Sequence, residues 1–326
     1  MRAVLSCLLA FTLVVLIVLV EETSFSEAVC SSALSYGDNV QCSIDTSGEV
    51  DTFTFPGADG EKIFARMGET SSSTLVPKIE VYRPDDTLLC SNTAANNSPT
   101  ATALATCTLN ASGTFTVKAK DKATGTGSYG LYIQRVNNPV GATTIAYGDN
   151  LTVTLASAEV TEYAFSASSG DKAFVRMATT DNPGYIPNPQ LRVYRPDGSL
   201  LCEGDSGYEK ILTCTADATG THLILATTKY NTSGGFGVYL QRLNGPTGAA
   251  SISYGDNATG TLAAAEVYDY AFSGSSGELV YARLSGTGGQ NQKMFLGIYK
   301  PDGSVMCSET GPDSPPILDF DCTLTA

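Results

Sequence analysis

Tyr36-Gly37-Asp38-Asn39 returns as Tyr147-Gly148-Asp149-Asn150 and again as Tyr254-Gly255-Asp256-Asn257, at steps of 111 and 107 residues. Self-similarity at so long a period marks three related whole domains rather than the turns of a solenoid. Outward from this stretch, other landmarks keep the same phase: Arg66-Met67, Arg176-Met177 and Arg283-Leu284, then Arg83-Pro84-Asp85, Arg195-Pro196-Asp197 and Lys300-Pro301-Asp302. Units of about 107 residues are large enough to carry their own cores. The expected organisation is a string of units over 29–140, 141–247 and 248–326, with joints near Asn137-Asn138-Pro139 and Asn244-Gly245-Pro246.

Within a unit the segments are short, alternating and bounded by turn residues: Thr52-Phe53-Thr54-Phe55, Ile79-Glu80-Val81-Tyr82, Thr114-Phe115-Thr116-Val117 and Tyr129 to Ile133. Period-two alternation reads as strand. No stretch after the leader sustains helical periodicity with caps, and turns such as Pro196-Asp197-Gly198 recur between the strands. The class is all-β, with each repeat a jelly-roll-like sandwich.

The chain has 326 residues, 42% hydrophobic and 16% charged, with a formal net charge of -14. That composition supports real cores and a surface of Ser, Thr, Gly and Asn, and the acidic balance argues against nucleic acid as a partner. Arg2 followed by the apolar run Ala3 to Val20 reads as a secretory signal over 1–28, with Ser26 and Ala28 as the small residues before cleavage. A membrane is a partner only if that segment is retained, and Glu27-Ala28-Val29-Cys30 does not form a lipidation motif. Removal of the signal leaves a net charge of -12 and eight cysteines in local pairs: Cys30 with Cys42, Cys90 with Cys107, Cys202 with Cys214, and Cys307 with Cys322. An even, locally paired set in an exported chain reads as disulfides, and no Cys-x-x-Cys spacing suggests zinc. The expected location is extracellular or at the cell surface.

Three stretches resemble the bacterial pre-peptidase C-terminal domain. Glu49-Val50-Asp51-Thr52-Phe53-Thr54-Phe55 before Gly60 is similar to its opening strand, and Leu191-Arg192-Val193-Tyr194-Arg195-Pro196-Asp197-Gly198-Ser199-Leu200 to its central strand and turn. Ala218-Thr219-Gly220-Thr221 through Gly237-Val238-Tyr239-Leu240 is similar to its closing strands. The resemblance spans nearly all of the chain after the leader and implies a non-catalytic β-sandwich associated with binding, secretion or solubility of a host protein. Local cysteine pairs are not a general trait of that family, and the 326 residues do not place a catalytic domain ahead of the units.

Several residues carry a sharper reading that has to be weighed. Gly204-Asp205-Ser206-Gly207 echoes peptidase motifs, but the only histidine, His222, aligns with Phe115 at an alternating, inward-facing position and is expected to be a core or edge residue rather than the base for Ser206. No catalytic residue is expected. Asp38, Asp149 and Asp256, followed by Glu49/Asp51, Glu159/Glu162 and Glu266/Asp269, form a recurring carboxylate set that suits calcium. Turn capping explains the same repeat without a ligand and is preferred, so calcium is the only cofactor entertained. The 16 tyrosines invite a sugar-stacking reading, yet Tyr82, Tyr194 and Tyr299, like Tyr132 and Tyr239, occupy shared strand positions. Asn96, Asn110, Asn150, Asn231 and Asn257 form sequons.

Arg135 and Arg242 each lie 28 residues after Cys107 and Cys214, whereas four residues follow Cys322. By that arithmetic the third unit lacks its last two strands, which is expected of a fragment of a longer reading frame or of a subunit completed by strand donation. The leading functional expectation is a non-catalytic repeat protein serving as spacer, adhesive or binding module, with matrix, polysaccharide or protein surfaces as partners. The alternatives are the accessory part of a secreted peptidase or other hydrolase, and a filament subunit that self-associates through its incomplete third repeat.

Overall fold

The computed structural model describes residues 30, 32–71, 73–95, 101–180, 187–286, 294–311 and 317–325. The signal peptide expected over 1–28 and the sequon at Asn96 lie outside the described residues. The first sandwich is built from β1 (Asn39–Ile44), β2 (Val50–Gly57), β3 (Lys62–Glu69), β4 (Pro77–Tyr82), β5 (Leu88–Thr93), β6 (Thr102–Thr108), β7 (Gly113–Asp121) and β8 (Gly127–Arg135). Its two four-stranded antiparallel sheets run β1-β8-β3-β6 and β2-β7-β4-β5, the strand order of a jelly roll.

The second sandwich repeats this order. A short β9 (Thr143–Thr144) precedes β10 (Asn150–Leu155), β11 (Thr161–Ala167), β12 (Lys172–Thr179), β13 (Pro189–Tyr194), β14 (Leu200–Asp205), β15 (Glu209–Thr215), β16 (Gly220–Thr228) and β17 (Gly234–Arg242). The sheets are β10-β17-β12-β15 and β14-β13-β16-β11-β9, with β9 added in parallel to β11. Alternation does what the sequence predicts. Along β7, Phe115, Val117 and Ala119 are fully buried while Thr116, Lys118 and Lys120 face outward. Each sandwich closes a core of its own, one around Phe53, Phe55 and Phe115, the other around Phe165, Val193 and Phe236.

The third unit holds β18 (Ala250–Ser251), β19 (Tyr270–Ala271), β20 (Leu279–Ser285), β21 (Phe295–Tyr299), β22 (Val305–Thr310) and β23 (Ile317–Thr323), paired only two by two. Among the described residues it has no counterpart of β7 and β8, which occupy interior positions in the two sheets of the first sandwich. Residues 257–262, which align with β1, therefore form no strand, and Leu279 and Tyr281 are 68% and 59% exposed.

The cysteines stand in the four expected pairs, with Cα atoms 5.7 to 6.3 Å apart. Cys90 on β5 and Cys107 on β6 belong to opposite sheets, as do Cys202 on β14 and Cys214 on β15. Each link thus pins the two layers together where neither strand bonds the other. Closing a loop of 12 residues removes chain entropy equivalent to about 3 kcal/mol. The double substitution Cys202→Ala with Cys214→Ala is expected to lower stability by about that amount, read from the denaturant midpoint of the second sandwich.

Candidate functional site: the joints between sandwiches

The sharper readings of single residues find simple explanations. His222 is fully buried on β16, stacked on Phe165 with centroids 5.3 Å apart, and its Nδ1 lies 3.2 Å from the Gly220 carbonyl. Asp205 pairs through Gln190 with Thr227, five residues farther along β16, so roughly 17 Å of strand separates His222 from that end of the sheet. Ser206 and His222 are therefore not a nucleophile and its base. Asp205 instead forms an ion pair with Lys229 at 2.9 Å.

The recurring carboxylates cap turns. Asp38, Asp149 and Asp256 accept backbone N–H bonds from Ser35, Ala146 and Ser253 at 2.7 to 2.8 Å. Glu159 and Glu266 do the same for Ala156 and Ala263 at 2.6 and 2.7 Å. Bonds of this kind satisfy the donors of a tight turn. Among the described residues no group of three or more His, Cys, Asp or Glu is placed to hold a metal. The tyrosine of each repeated turn reaches a carboxylate at the start of the next strand pair: Tyr36 to Glu61, Tyr147 to Asp171 and Tyr254 to Glu278, at 2.8, 3.5 and 2.9 Å.

Where one sandwich meets the next, the same set of contacts is built twice. The side chain of Asn39 donates to the Val160 carbonyl and accepts from the Val160 N–H, both at 2.9 Å. Asn150 does this for Val267 at 3.1 and 3.0 Å. Arg66 Nη1 donates to the Ala158 carbonyl and Arg176 Nη1 to the Ala265 carbonyl, each at 2.6 Å. Tyr132 and Gln134 converge on Glu162, and Tyr239 and Gln241 converge on Asp269. An apolar cluster of Phe64, Tyr132, Val136, Val160, Tyr194, Leu223 and Leu225 fills the first joint. In the second, Phe174 lies 6.1 Å from Tyr239 and 6.3 Å from Tyr299. Tyr132, Tyr194, Tyr239 and Tyr299, which read as shared strand residues, are thus joint residues, as are Arg66 and Arg176 of the Arg-Met landmarks, whereas Met67 and Met177 lie in the sandwich cores.

Two backbone features belong to the same design. Ala158 and Ala265 have φ of 60° and 66°, a left-handed conformation that costs a non-glycine residue about 1–2 kcal/mol. Their methyl groups fill space opposite Gly130 and Gly237, where an added Cβ would come within 2.8 and 2.6 Å. In the first sandwich the corresponding position is Gly48, where an added Cβ would meet nothing within 4 Å. Gly198 and Gly303 likewise abut Asn137 and Asn244, while Asp86 takes that place in the first sandwich.

Arg66 is 1% exposed and also donates to Asn231, and burial holds it down at about 10. Burial pushes the carboxyl of Asp269 up to about 6. The sequons at Asn150 and Asn231 are consumed here, since both side chains are engaged in joint contacts. Asn110 accepts from Arg83 at 2.8 Å on the surface.

No protein-family profile and no curated protein matches the chain. Among solved structures it is similar to the pre-peptidase C-terminal domain of a collagenase from Bacillus anthracis, at 13% identity over 32% of this chain and 99% of that one, with a TM-score of 0.26. A triple jelly roll protein of an archaeal virus turret matches at 11% identity over 64% and 59% of the two chains, with a TM-score of 0.22. A glycosyl hydrolase family 2 member from Bacteroides cellulosilyticus matches at 11% identity over 55% and 24%, with a TM-score of 0.19.

Two measurements follow from these placements. His222 Nε2 is buried without a partner, and the first sandwich stacks Phe55 on Phe115 at the same position, 5.5 Å apart. His222→Phe is expected to raise stability by about 1 kcal/mol in equilibrium unfolding, because a desolvated polar atom is removed. Asp269 has a folded pKa above the ordinary 3.8, so its contribution to the second joint is full below pH 3.8 and fades as pH rises through about 6. Hydrogen exchange at the joint amide of Val267 should accordingly be slower, after correction for intrinsic rates, at pH 5 than at pH 7, and Asp269→Asn should remove the difference.

Proposed function

We propose that this protein is a secreted or surface-displayed, non-catalytic array of sandwiches similar to pre-peptidase C-terminal domains, acting as a rigid spacer. The observation that carries the reading is the repetition of one contact set at both joints. Flexible linkers tolerate any sequence, whereas here asparagine, arginine, glutamine and tyrosine recur in register to fix the same relation between neighbours. A relation fixed twice in the same way propagates along the chain and holds distant points at a set separation. The four cysteine pairs and the apolar leader support export to an oxidising compartment. Among the described residues no helix is long and apolar enough to cross a membrane.

Small-angle X-ray scattering on the whole chain tests the spacer reading. The native protein should scatter as one extended particle described by a single conformation. Arg66→Ala leaves the Ala158 carbonyl without its buried donor, at a cost of about 1–3 kcal/mol, and removes one of the donors to Asn231, which keeps the Thr102 hydroxyl at 3.1 Å. The variant should therefore need a broad ensemble of inter-unit angles. Native scattering that already requires such an ensemble would refute the reading.

A further inference from the structure

We propose that a small monovalent anion of the chloride class binds beside Arg66 and completes the first joint. A guanidinium carries five N–H donors and one positive charge. Nη1 of Arg66 donates to the Ala158 carbonyl at 2.6 Å, and Nη2 donates to the Thr228 carbonyl at 3.3 Å and to Asn231 Oδ1. All three acceptors are neutral, and Nε is buried without a partner. The residue is 1% exposed, so bulk water does not screen the charge.

The other charged groups of this joint are engaged. Glu162 accepts from Tyr132 and Gln134, Arg192 pairs with Glu203 at 2.7 Å, and Lys62 lies 3.8 Å from Asp197. Burial, and after it the like charge of Arg192, holds the Arg66 guanidinium down at about 10. Among the described residues no carboxylate forms an ion pair with it.

The second joint shows what the first lacks. Arg176, aligned with Arg66, makes the same 2.6 Å bond to a backbone carbonyl, and its Nε pairs with Glu209 at 2.9 Å. Glu209 stands opposite Ala178 in the pairing of β12 with β15, and the aligned residue, opposite Gly68 in the pairing of β3 with β6, is Thr102. Threonine is too short to carry a carboxylate to Nε, and its hydroxyl donates to Asn231 Oδ1 at 3.1 Å instead. Thr102 is half-buried on β6, the edge strand of its sheet, which leaves a small ion a way in.

A buried charge without a counter-charge is strongly unfavourable, and a buried polar atom without a partner marks an ion or an ordered water. Water would satisfy Nε and leave the charge unmatched, whereas an anion does both. One net charge calls for a monovalent ion, and the space opened by threonine in the place of glutamate calls for one no larger than a carboxylate. The first joint then responds to the identity of the anion, and the second, which has its own carboxylate, does not.

The proposal rests on the same buried joint as the spacer reading, and one experiment separates the two. The Nε–H resonances of Arg66 and Arg176 are followed by NMR in the whole chain while chloride replaces gluconate at constant ionic strength, which leaves screening unchanged. The expected result is an exchange-protected Arg66 resonance that shifts saturably with chloride, beside an Arg176 resonance that stays in place. Thr102→Glu, with folding checked by circular dichroism, supplies the missing carboxylate and should abolish the response of Arg66. A protected Arg66 resonance that ignores chloride would overturn the proposal in favour of ordered water and leave the joint intact. Equal shifts of both resonances would overturn it as a general salt effect. An Arg66 Nε–H that exchanges as fast as that of an exposed arginine would overturn the buried joint itself, and both readings with it.

Discussion

The arrangement of the units depends on a side-chain amide standing in for a strand. Asn39 offers Val160 one donor and one acceptor in the spacing that a backbone neighbour would offer. Val160 stands just ahead of β11, where its N–H and carbonyl lie outside the ladder that begins at Thr161. Asn150 does the same for Val267. Because a buried backbone pair must be satisfied, this contact fixes position and angle together, and a sliding or tilted joint would leave both groups unpaired. The rest of the joint follows from holding that register. Arg66 reaches the carbonyl two residues earlier, Gln134 and Tyr132 reach the carboxylate two residues later, and Phe64 closes against Tyr194.

Such an arrangement concentrates cost and gain in one place. A fully buried guanidinium is expensive to desolvate, and the alanine at positive φ adds backbone strain. Both are offset by backbone acceptors, by Asn231 and by the apolar cluster. The differences between units make the same point. On the first sandwich, whose corresponding face meets no other unit among the described residues, Gly48 stands in place of the strained alanine, Thr52 stands in place of the carboxylate, and Lys78 and Lys120 pair with Glu80.

Much of the fold was legible in the sequence because alternation and turn chemistry are local. Thr114-Phe115-Thr116-Val117 states its own strand, and Gly-Asp-Asn states its own turn. Cysteine spacing gave pairs whose Cα atoms lie within bridging distance for the same reason. The inward placement of His222 followed from its alignment with Phe115. The joints were not legible, since their residues lie from 28 to 165 positions apart and look like ordinary strand residues from either side. One signal was present. The position before Glu49, Glu159 and Glu266 is glycine once and alanine twice, although the backbone needs positive φ each time. Alanine in a glycine position marks a methyl group with something to touch.

The central claim is that neighbouring sandwiches are held in one fixed relation by paired side-chain and backbone groups. Residual dipolar couplings measured for the backbone amides of the first and second sandwiches in one aligned sample test it directly. A single alignment tensor fitting both units, with the orientation given by the Asn39–Val160 contact, is the predicted result. Two tensors of different magnitude would contradict it, because they would mean that the units reorient independently.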